Sequence, residues 1–392
     1  MNKISITTLG NLIEFQRGYD LPKSSFIEGY VPVISSNGIL GFHNEYKVQG
    51  PGITIGRSGT VGLPQYIEGN FFPHNTALFI KDFKGNHPKY IYYLLKTLSL
   101  NDRGSGSGVP TMNRNHLHPL MVSAHLDFTT QQKIASVLST LDAKIEVNNR
   151  INAELEAMAK TLYDYWFVQF DFPDKNGRPY KTSGGKMVWN EDMKKELPVG
   201  WEAKILLNFC SAIGDGIHGT PEYADKSDNR FINGNNLKNG FIDITNDTKS
   251  VSSEEYEKYF IELNEGTILL SINGTLGNLA VFTGEKVVLG KSAAYINCKG
   301  KNRPYCYQFL KLENIQKKFW NIATGSTIKN LSLDSLKNLI IPFPGDDLVE
   351  HYFVIANPLE EKKKNIFREN QQLASLRDWL LPMLMNGQVK VV

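Results

Sequence analysis

The residues best suited to polar chemistry lie in a glycine-rich stretch that occurs twice in the sequence. Residues 53–62, ITIGRSGTVG, return as ILLSINGTLG at 268–277. Glycine lets a backbone approach a ligand closely, and the polar side chains between the glycines can reach phosphates or base edges. An ordinary hairpin turn explains any single residue nearly as well. The candidate contact residues in the two copies are Arg57, Ser58, Thr60, Asn273 and Thr275.

Neighbouring polar positions extend this candidate set. The repeat aligns Pro73-His74-Asn75 with Gly290-Lys291-Ser292, which adds His74, Asn75, Lys291 and Ser292. A looser echo relates residues 34–37 to residues 232–235. Side chains of these types bind both bases and phosphates, so the sequence does not divide the two kinds of contact. The remaining candidates are Asn113, Arg114, Asn235, Asn236, Lys238, Thr327 and Lys329.

Motifs for catalysis are weak or misplaced. An adenine methyltransferase should carry an Asn- or Asp-Pro-Pro-aromatic motif, whereas this chain has only Asn357-Pro358-Leu359, inside a predicted helix. The run at 284–292 resembles a phosphate loop but has one residue too many between its glycines, and its repeat counterpart lacks the motif. The Gly104–Gly108 run opens no predicted helix, which favours a flexible loop. We therefore expect no catalytic function and no cofactor.

Metal sites are not indicated either. His116, His118 and His125 are the closest histidine cluster, but alternating histidines on a strand without a cysteine partner are usually surface or core residues. Asp174 with Glu202 only loosely imitates a metal-nuclease constellation, because Asp174 falls in a connector. No Ser-His-Asp set has a supporting spacing. The sequence predicts no bound metal.

A long helix is predicted to position the candidate loops. From Thr129 to Trp166, apolar residues recur at heptad a and d spacing without an interrupting Gly or Pro, and Thr129 with Gln132 forms a capping box. The helix would be about 57 Å long. Asn148 and Asn152 fill two positions of its seam, where a buried asparagine costs stability but fixes register. A helix of this length needs a partner to cover its seam.

The partner is predicted in the same chain. The pattern returns 218 residues later, where Asp347 and Glu350 form a second capping box. Pro358 lies inside this copy and predicts a break or kink near Asn357. Two helices on separate cores are the simpler alternative, but the matched caps and the shared polar seam position favour an antiparallel pair. The predicted interface residues are Leu141, Asn152, Leu155, Leu162, Leu359, Asn370, Leu373 and Leu380.

The composition indicates a cytosolic protein of two or more domains. The chain has 392 residues, 41% of them hydrophobic and 21% charged, and its net charge of +3 permits a nucleic-acid partner without demanding one. Its three cysteines are an odd number without a C-x-x-C pair, which suggests reduced thiols. The N-terminus lacks the apolar core of a signal peptide, and no run is long enough to span a membrane. We expect a cytoplasmic location.

Strand-rich regions alternate with the two helices. β-rich runs such as residues 30–35, 53–56 and 76–80 are separated by Gly and Asn turns, with helix candidates at 88–98 and 304–320. We predict an α+β fold in which two similar strand-rich domains are separated by two long helices that form an antiparallel coiled coil with pseudo-two-fold symmetry. The predicted divisions are 1–128, 129–175, 176–345 and 346–392.

This layout suits a two-part linear target. DNA is the natural candidate, because half-sites on one face of the duplex recur about every 34–36 Å, and the predicted rod spans about one to two such turns. The candidate contact residues differ between the two copies, so the two half-sites should differ as well.

The ordered motifs resemble the specificity subunits of type I restriction-modification systems over essentially the whole chain. The motifs that carry the resemblance are GRSGTVG at 56–62, QQKIA at 131–135, LPVGW at 197–201 and GSTI at 325–328. Each is weak alone, but the ordered set is specific. The second helix departs from the family pattern, because VEHY at 349–352 replaces the usual glutamine-rich start.

The resemblance implies a subunit that does no chemistry. Its two target recognition domains would bind a bipartite, asymmetric site in double-stranded DNA and direct two adenine-N6 methyltransferase subunits and ATP-dependent restriction subunits to it. The alternative is a structural scaffold whose paired domains bind protein partners rather than DNA, and a standalone nuclease is a more distant one. Sequence-specific, salt-sensitive binding separates the first two; metal-dependent cutting by the chain alone would favour the third.

Overall fold

The structure, a computed structural model, describes residues 4–103 and 111–391 and divides into two compact units. Unit 1 comprises residues 1–149 and 368–392, and unit 2 comprises residues 150–367. The predicted Gly104–Gly108 loop lies outside the described residues. Within the described ranges, no helix is long and apolar enough to cross a membrane.

Unit 1 combines short strands with helices. Its sheets have the strand orders β2-β8-β5-β6, β4-β3-β7 and β1-β9. The elements are β1 (Ile4–Thr8), α1 (Leu9–Leu12), β2 (Glu14–Arg17), β3 (Val31–Ser35), β4 (Gly38–His43), β5 (Gly52–Gly56), β6 (Pro64–Ile67), β7 (Phe72–Pro73), β8 (Ala77–Asp82), α2 (Pro88–Lys96), α3 (Arg114–Leu117), β9 (Met121–His125) and the first part of α4 (Phe128–Tyr163).

The core of unit 1 forms around β5, which lies inside the four-stranded sheet. All five of its residues are buried, and β-branched Ile53 and Ile55 fit a strand that is covered on both faces. Helix α2 starts at Pro88, whose missing N–H costs nothing at that position, and its buried face packs against β5 and β6. The predicted strands at 30–35, 53–56 and 76–80 are confirmed with small shifts at their ends.

Unit 2 repeats this construction with more strands. Its four-stranded sheets have the orders β13-β22-β19-β20 and β14-β18-β15-β21. The elements are β10 (Met187–Asn190), β11 (Lys195–Pro198), β12 (Glu202–Ile205), β13 (Cys210–Asp215), β14 (Tyr223–Ala224), β15 (Arg230–Ile232), β16 (Leu237–Lys238), β17 (Phe241–Ile242), β18 (Ser250–Val251), α5 (Ser253–Lys258), β19 (Thr267–Ser271), β20 (Leu279–Val281), β21 (Val287–Leu289), β22 (Ala293–Cys298), α6 (Arg303–Lys311), α7 (Glu313–Ile322), α8 (Leu333–Lys337), β23 (Ile340–Phe343) and part of α9 (Asp346–Met385).

Strand β19 takes the place in unit 2 that β5 has in unit 1. It too is buried along its whole length and lies inside a four-stranded antiparallel sheet. The helix predicted at 304–320 is in fact two helices, because the chain is extended at Leu312 between α6 and α7. Both copies of the repeat therefore fold as strand-rich α+β domains, as predicted.

The two long helices begin at equivalent residues, Phe128 and Asp346, which are 218 positions apart. The predicted capping boxes are nevertheless wrong. In the first helix, the Asp127 carboxylate accepts hydrogen bonds at 2.8 Å from both the backbone N–H and the hydroxyl of Thr130, so the cap lies two residues before Thr129. These bonds lower the pKa of Asp127. In the second helix, Glu350 pairs with Lys301 instead of turning back to the helix start.

The ends and middle of these helices also differ from expectation. Helix α4 ends at Tyr163 and continues as one wide π turn, Asp164–Val168, which places Trp166 and Phe167 in the core. The break predicted near Asn357 is wrong, because α9 runs unbroken through Pro358. Pro358 and Val354 are both exposed, so water can solvate the carbonyl that the proline leaves without its helical partner.

The helices pair antiparallel within each unit. In unit 1, Asp142 binds Arg377 at 2.8 Å and Asn148 binds Asn370 at 2.8 Å, so the partner's number falls as the residue number rises. In unit 2, Glu156 binds Lys363, and the ring of Tyr163 lies 6.0 Å from that of Tyr352. The predicted antiparallel pairing is confirmed. The leucines predicted for the interface are all half-buried: Leu141, Leu155, Leu162, Leu359, Leu373 and Leu380.

Candidate nucleic-acid interface

The glycine-rich loop of unit 1 is a closed, hydrogen-bonded turn between β5 and β6. The Gly62 N–H donates to the Gly56 carbonyl at 3.0 Å. Gly59 and Gly62 have φ values of +83° and +78°, which a residue with a side chain rarely adopts. A Cβ on Gly56 would lie 1.7 Å from the Thr60 carbonyl oxygen, so the unit 1 loop has no room for a side chain at this position.

The same turn is built in unit 2 between β19 and β20. The Gly277 N–H donates to the Ser271 carbonyl at 2.9 Å, and Gly274 and Gly277 have φ values of +74° and +93°. The repeat predicted from sequence is therefore confirmed at the level of backbone hydrogen bonds. Both loops present polar side chains from a fixed backbone, which reduces the entropy lost on binding a ligand.

A second segment holds each loop from one side. In unit 1, the Arg57 N–H donates to the Thr76 carbonyl at 2.8 Å, and in unit 2 the Ile272 N–H donates to the Ser292 carbonyl at 3.0 Å. Thr76 and Ser292 are therefore equivalent. The predicted alignment, which matched Ser292 to Asn75, is wrong by one residue.

A parallel strand contact fixes this corrected register. The His74 N–H donates to the Ile34 carbonyl, and the Gly290 N–H donates to the Ile232 carbonyl, both at 2.8 Å. His74 thus corresponds to Gly290, and Asn75 corresponds to Lys291. The echo between residues 34–37 and 232–235 is confirmed.

A third segment crosses each loop from the other side. The Met112 N–H donates to the Arg57 carbonyl at 2.8 Å, and the Leu331 N–H donates to the Ile272 carbonyl at 2.9 Å. Three chain segments therefore meet at each glycine loop. The candidates near residues 113–114 and 327–329, which are remote in sequence, belong to these crossing segments.

The candidates of unit 1 form one polar surface. Arg57 is half-buried, and its Nη1 donates to the Asn75 carbonyl at 3.4 Å. The Asn75 side chain donates to the Asp20 carboxylate, while His74 Nδ1 lies 3.1 Å from Thr76 Oγ1. Each of these side chains is thus oriented by a neighbour.

The other unit 1 candidates differ in exposure. Ser58 is half-buried and Thr60 is exposed. Asn113 caps helix α3 by accepting from the Asn115 N–H at 3.0 Å, and Arg114 is exposed. Thr60, Asn113 and Arg114 are the exposed candidates among these four residues.

In unit 2, two candidates are engaged in holding the surface together. Ser292 Oγ accepts from the Gly234 N–H at 2.9 Å and donates to Asn233 Oδ1 at 3.0 Å. Asn236 accepts from the Asn233 N–H at 3.0 Å and donates to the Asp243 carbonyl at 3.2 Å. Both side chains stabilise the turn that follows β15, which leaves them less capacity for a ligand.

The remaining unit 2 candidates present polar groups to solvent. Lys238 is exposed and pairs with Asp243 at 2.7 Å, and Thr275 is exposed with its hydroxyl 2.9 Å from that of Ser271. Asn273 and Lys329 are half-buried. Asn235, Lys291 and Thr327 are exposed.

Sequence reasoning missed an acid–base pair next to each loop. Arg17 and Asp20 lie together in unit 1, and Asp215 and His218 lie together in unit 2. Each pair is separated by three residues, and the pairs are 198 positions apart, the same offset that relates Ile34 to Ile232. Applying that offset to charged residues would have found them.

A cleft of 650 Å³ opens beside the unit 1 loop. Gln65 lies in its lining, with Nε2 donating to the Ser35 carbonyl at 3.1 Å. Thr60 and Lys96 also line it. The cleft therefore adds an amide and an ammonium to the polar surface.

The rejected catalytic and metal motifs have structural roles. Within the run at 284–292 that resembles a phosphate loop, residues 287–289 form strand β21. The Asp174 carboxylate accepts a hydrogen bond from Arg178 within a tight turn. His116 and His118 lie at the short helix α3 and not on a strand as predicted, while His125 is buried on β9. Among residues 4–103 and 111–391, no group of three or more His, Cys, Asp or Glu side chains is placed to hold a metal.

His118 shows how these histidines are used. Its Nε2 accepts the Phe15 backbone N–H at 3.0 Å, which requires a neutral ring nitrogen. Burial lowers the pKa of His118, and the nearby Lys84 and Arg114 lower it further. The side chain therefore acts as a structural acceptor.

The sequence matches the family model described as "Type I restriction modification DNA specificity domain" over residues 1–157 and 198–347. The specificity subunit of the type I restriction enzyme MjaIX from Methanocaldococcus jannaschii is 27% identical over 321 residues, covering 77% of this chain and 69% of that protein. The specificity subunit of the type I restriction enzyme HindI from Haemophilus influenzae is 26% identical over 404 residues, covering 88% and 82%.

The fold has a solved counterpart. The crystal structure of a type I restriction-modification system S subunit from M. genitalium aligns with a TM-score of 0.63 at 17% identity, over 98% of this chain and 96% of that one. At this identity the likeness shows the fold alone, with its two repeated strand-rich domains and long helices.

Proposed function

This chain belongs to the family of type I restriction-modification DNA specificity proteins, and from that premise we propose that it selects the DNA site on which such a complex acts. It performs no chemistry itself. The observation that carries this function is the glycine loop built twice with the same hydrogen bonds, once in each region that matches the family. Each loop combines a close backbone approach with polar side chains, which suits binding to a nucleic-acid surface.

The two loops are expected to read different half-sites. Arg57 of unit 1 is replaced by buried Ile272 in unit 2, and Asn75 is replaced by Lys291. Arginine can bind a guanine edge with two hydrogen bonds, which Ile272 cannot. The target is accordingly a bipartite, asymmetric sequence in double-stranded DNA.

The partners follow from the same assignment. We expect two adenine-N6 methyltransferase subunits, because the chain offers two similar units, and ATP-dependent restriction subunits added to that core. The place of action is the cytoplasm, where such a complex meets DNA. Purification with a fixed stoichiometry of one methyltransferase would contradict the two-site arrangement.

The deciding experiment is sequence selection from a random duplex library. The full chain is purified with the methyltransferase subunits of its own system, and bound duplexes are sequenced at several salt concentrations. A two-part sequence, with affinity that falls steeply as salt rises, supports the proposal. Recovery of no preferred sequence would favour the alternative of a scaffold for protein partners.

Methylome sequencing of the host provides the matching test in the cell. Deleting the gene should remove methylation from one bipartite motif. Restoring the gene should return methylation to the motif selected in vitro. A methylome unchanged by deletion would contradict the proposed function.

A further inference from the structure

An acid–base pair lies at the same place in both units, with its charges reversed along the chain. In unit 1, Arg17 Nη2 is 3.2 Å from Asp20 Oδ1. In unit 2, His218 Nε2 is 3.0 Å from Asp215 Oδ2. The base precedes the acid in unit 1, whereas the acid precedes the base in unit 2.

The backbone shows that these positions are equivalent. The Tyr19 N–H donates to the Pro73 carbonyl, and the Ile217 N–H donates to the Leu289 carbonyl, both at 2.8 Å. Pro73 and Leu289 each come directly before the segment that holds the glycine loop. The residue after Tyr19 is Asp20, and the residue after Ile217 is His218, so unit 1 has a carboxylate at the position where unit 2 has an imidazole.

Unit 1 presents a hydrogen-bond acceptor at this place. The Asp20 side chain is 70% exposed, and the contacts described for it, from Arg17 and Asn75, both use Oδ1. Its second oxygen is therefore accessible to a further donor. A carboxylate repels phosphate, but it accepts from the exocyclic amine of a base in the major groove.

Unit 2 presents an imidazole and an ammonium at this place. Asp215 is only 20% exposed, whereas His218 is 74% exposed. Lys291, which corresponds to Asn75, is exposed as well. An ammonium carries donors and no acceptor, and the acceptor-rich edge of guanine is its complement among the bases.

We propose that this site determines a base at which the two half-sites differ: Asp20 reads the amino group of a cytosine or adenine in the first half-site, and Lys291 reads a guanine in the second. Arg17 and Asn75 orient the Asp20 carboxylate. The inference rests on the proposed function, since it names the specificity-determining residues of that same DNA-binding surface.

The first test replaces Asp20 by asparagine. The Asp20→Asn change keeps the side-chain shape and one oxygen that can accept from Asn75. It replaces the second carboxylate oxygen, which could accept from a base, with an NH2 group, which can only donate. In library selection with the full chain and its methyltransferase subunits, the preference at one base of the first half-site should change about tenfold, with the second half-site unchanged. Asp20→Glu retains the acceptor and should retain the base.

The second test replaces Lys291 by methionine. Lys291→Met should reduce the preference for one base of the second half-site about tenfold and leave the preferences in the first half-site unchanged. Lys194 and Glu191 provide the matched control, because they form an exposed acid–base pair at the same three-residue spacing in the β10–β11 turn. Lys194→Met should leave both half-sites unchanged.

The outcomes distinguish this inference from the proposed function. If both variants keep every base preference of the wild type, or lose affinity equally for all sequences, these residues do not read bases while the chain remains a specificity subunit. If the wild-type complex selects no sequence, the proposed function is wrong, and this inference, which rests on it, is wrong as well. Variants are compared only after their thermal unfolding is shown to match that of the wild type.

Discussion

Asn148 donates hydrogen bonds from its side-chain amide to Asn370 at 2.8 Å and to Glu369 at 2.7 Å, across the antiparallel helix pair of unit 1. Asn370 in turn donates to Asn149 at 2.9 Å. Asn148 is 1% exposed, so its polar atoms have no access to water. Such a polar position in a helix seam fixes register, because any slip along the seam leaves these groups without partners.

Truncating Asn148 should therefore destabilise the chain. We expect Asn148→Ala to lower the free energy of unfolding by about 1–3 kcal/mol, since it leaves the acceptors of Asn370 and Glu369 without their donor. The double variant Asn148→Leu with Asn370→Leu should cost less than Asn148→Ala, because it removes both partners together. Asn149→Ala is the control and should cost under about 1 kcal/mol, since that residue is exposed. Urea unfolding would measure these changes.

Asn152 is a polar residue in the seam between the helices whose partner the sequence does not reveal. It was predicted as an interface residue, and its buried Oδ1 has no hydrogen-bond partner among the described residues. A buried, unpaired amide oxygen costs free energy. The sequence indicates that a seam position is polar, but it does not indicate whether the facing residue satisfies it.

Arg57 is expected to contribute to the first half-site alone. Its guanidinium is held at the Asn75 carbonyl beside the glycine loop of unit 1. If Arg57 reads a guanine, Arg57→Ala should relax one base of the first half-site at a cost of about 1–3 kcal/mol. If it holds a phosphate, affinity should fall for all sequences. Arg178→Ala, in the connector turn, is the control; a change in the second half-site caused by Arg57→Ala would contradict the prediction.

Glu360 should make stability depend on pH. It lies buried with Arg303 Nη2 2.9 Å from its Oε2, and burial raises its pKa from 4.5 to about 7 despite that arginine. A carboxyl whose folded pKa is raised binds its proton more tightly in the folded state. Stability is therefore lost as pH rises from about 4.5 to about 7, by about 2 kcal/mol between pH 5 and pH 7.

The variant Glu360→Gln isolates this effect. It cannot ionise, so the pH-dependent loss between pH 5 and pH 7 should be smaller than in the wild type by about 2 kcal/mol. The comparison stops at pH 7, because burial lowers the pKa of Lys363 to about 8. Glu361→Gln, at a more exposed neighbouring position, is the control. Identical pH profiles for the wild type and Glu360→Gln would show that Glu360 is ionised throughout this range.

The sequence predicted the features that depend on local periodicity and on glycine. The long helices follow from heptad spacing, and the turns at Gly59 and Gly274 follow from glycine, which adopts positive φ more readily than any other residue. The helix caps were misplaced because several residues near position 129 have capping side chains. Only the folded backbone shows that Asp127 is the one that reaches the Thr130 N–H.

The sequence predicted only part of the candidate surface, again because it does not show how the folded backbone pairs. The loop residues could be found because the motif repeats, but the match of Ser292 to Asn75 was one residue out. A pairing register is fixed by strand hydrogen bonds, such as that from His74 to Ile34. The Arg17–Asp20 pair lies outside the repeated loop motif, and only the 198-residue offset that relates Ile34 to Ile232 links it to Asp215 and His218.

The two recognition regions should be separable. Exchanging residues 198–345 for the corresponding region of a relative should change the second half-site and leave the first unchanged, because each glycine loop is held by segments of its own unit. Library selection with the exchanged chain would measure this. A change in both half-sites after one exchange would show that the regions do not read DNA independently.

The long helices should set the distance between the half-sites. Inserting one heptad after Asn149 in α4 and another after Phe367 in α9 preserves the seam, because seven residues complete nearly two helical turns. Each insertion lengthens its helix by about 10 Å, the rise of about three base pairs. The selected sequence should therefore keep both half-sites and gain about three base pairs between them. A heptad inserted into α4 alone is the control, and it should destabilise the chain because the helices can no longer keep both the Asn148–Asn370 pairing and the Glu156–Lys363 pairing. An unchanged spacing in the doubly extended chain would mean that the helices do not determine the separation of the half-sites.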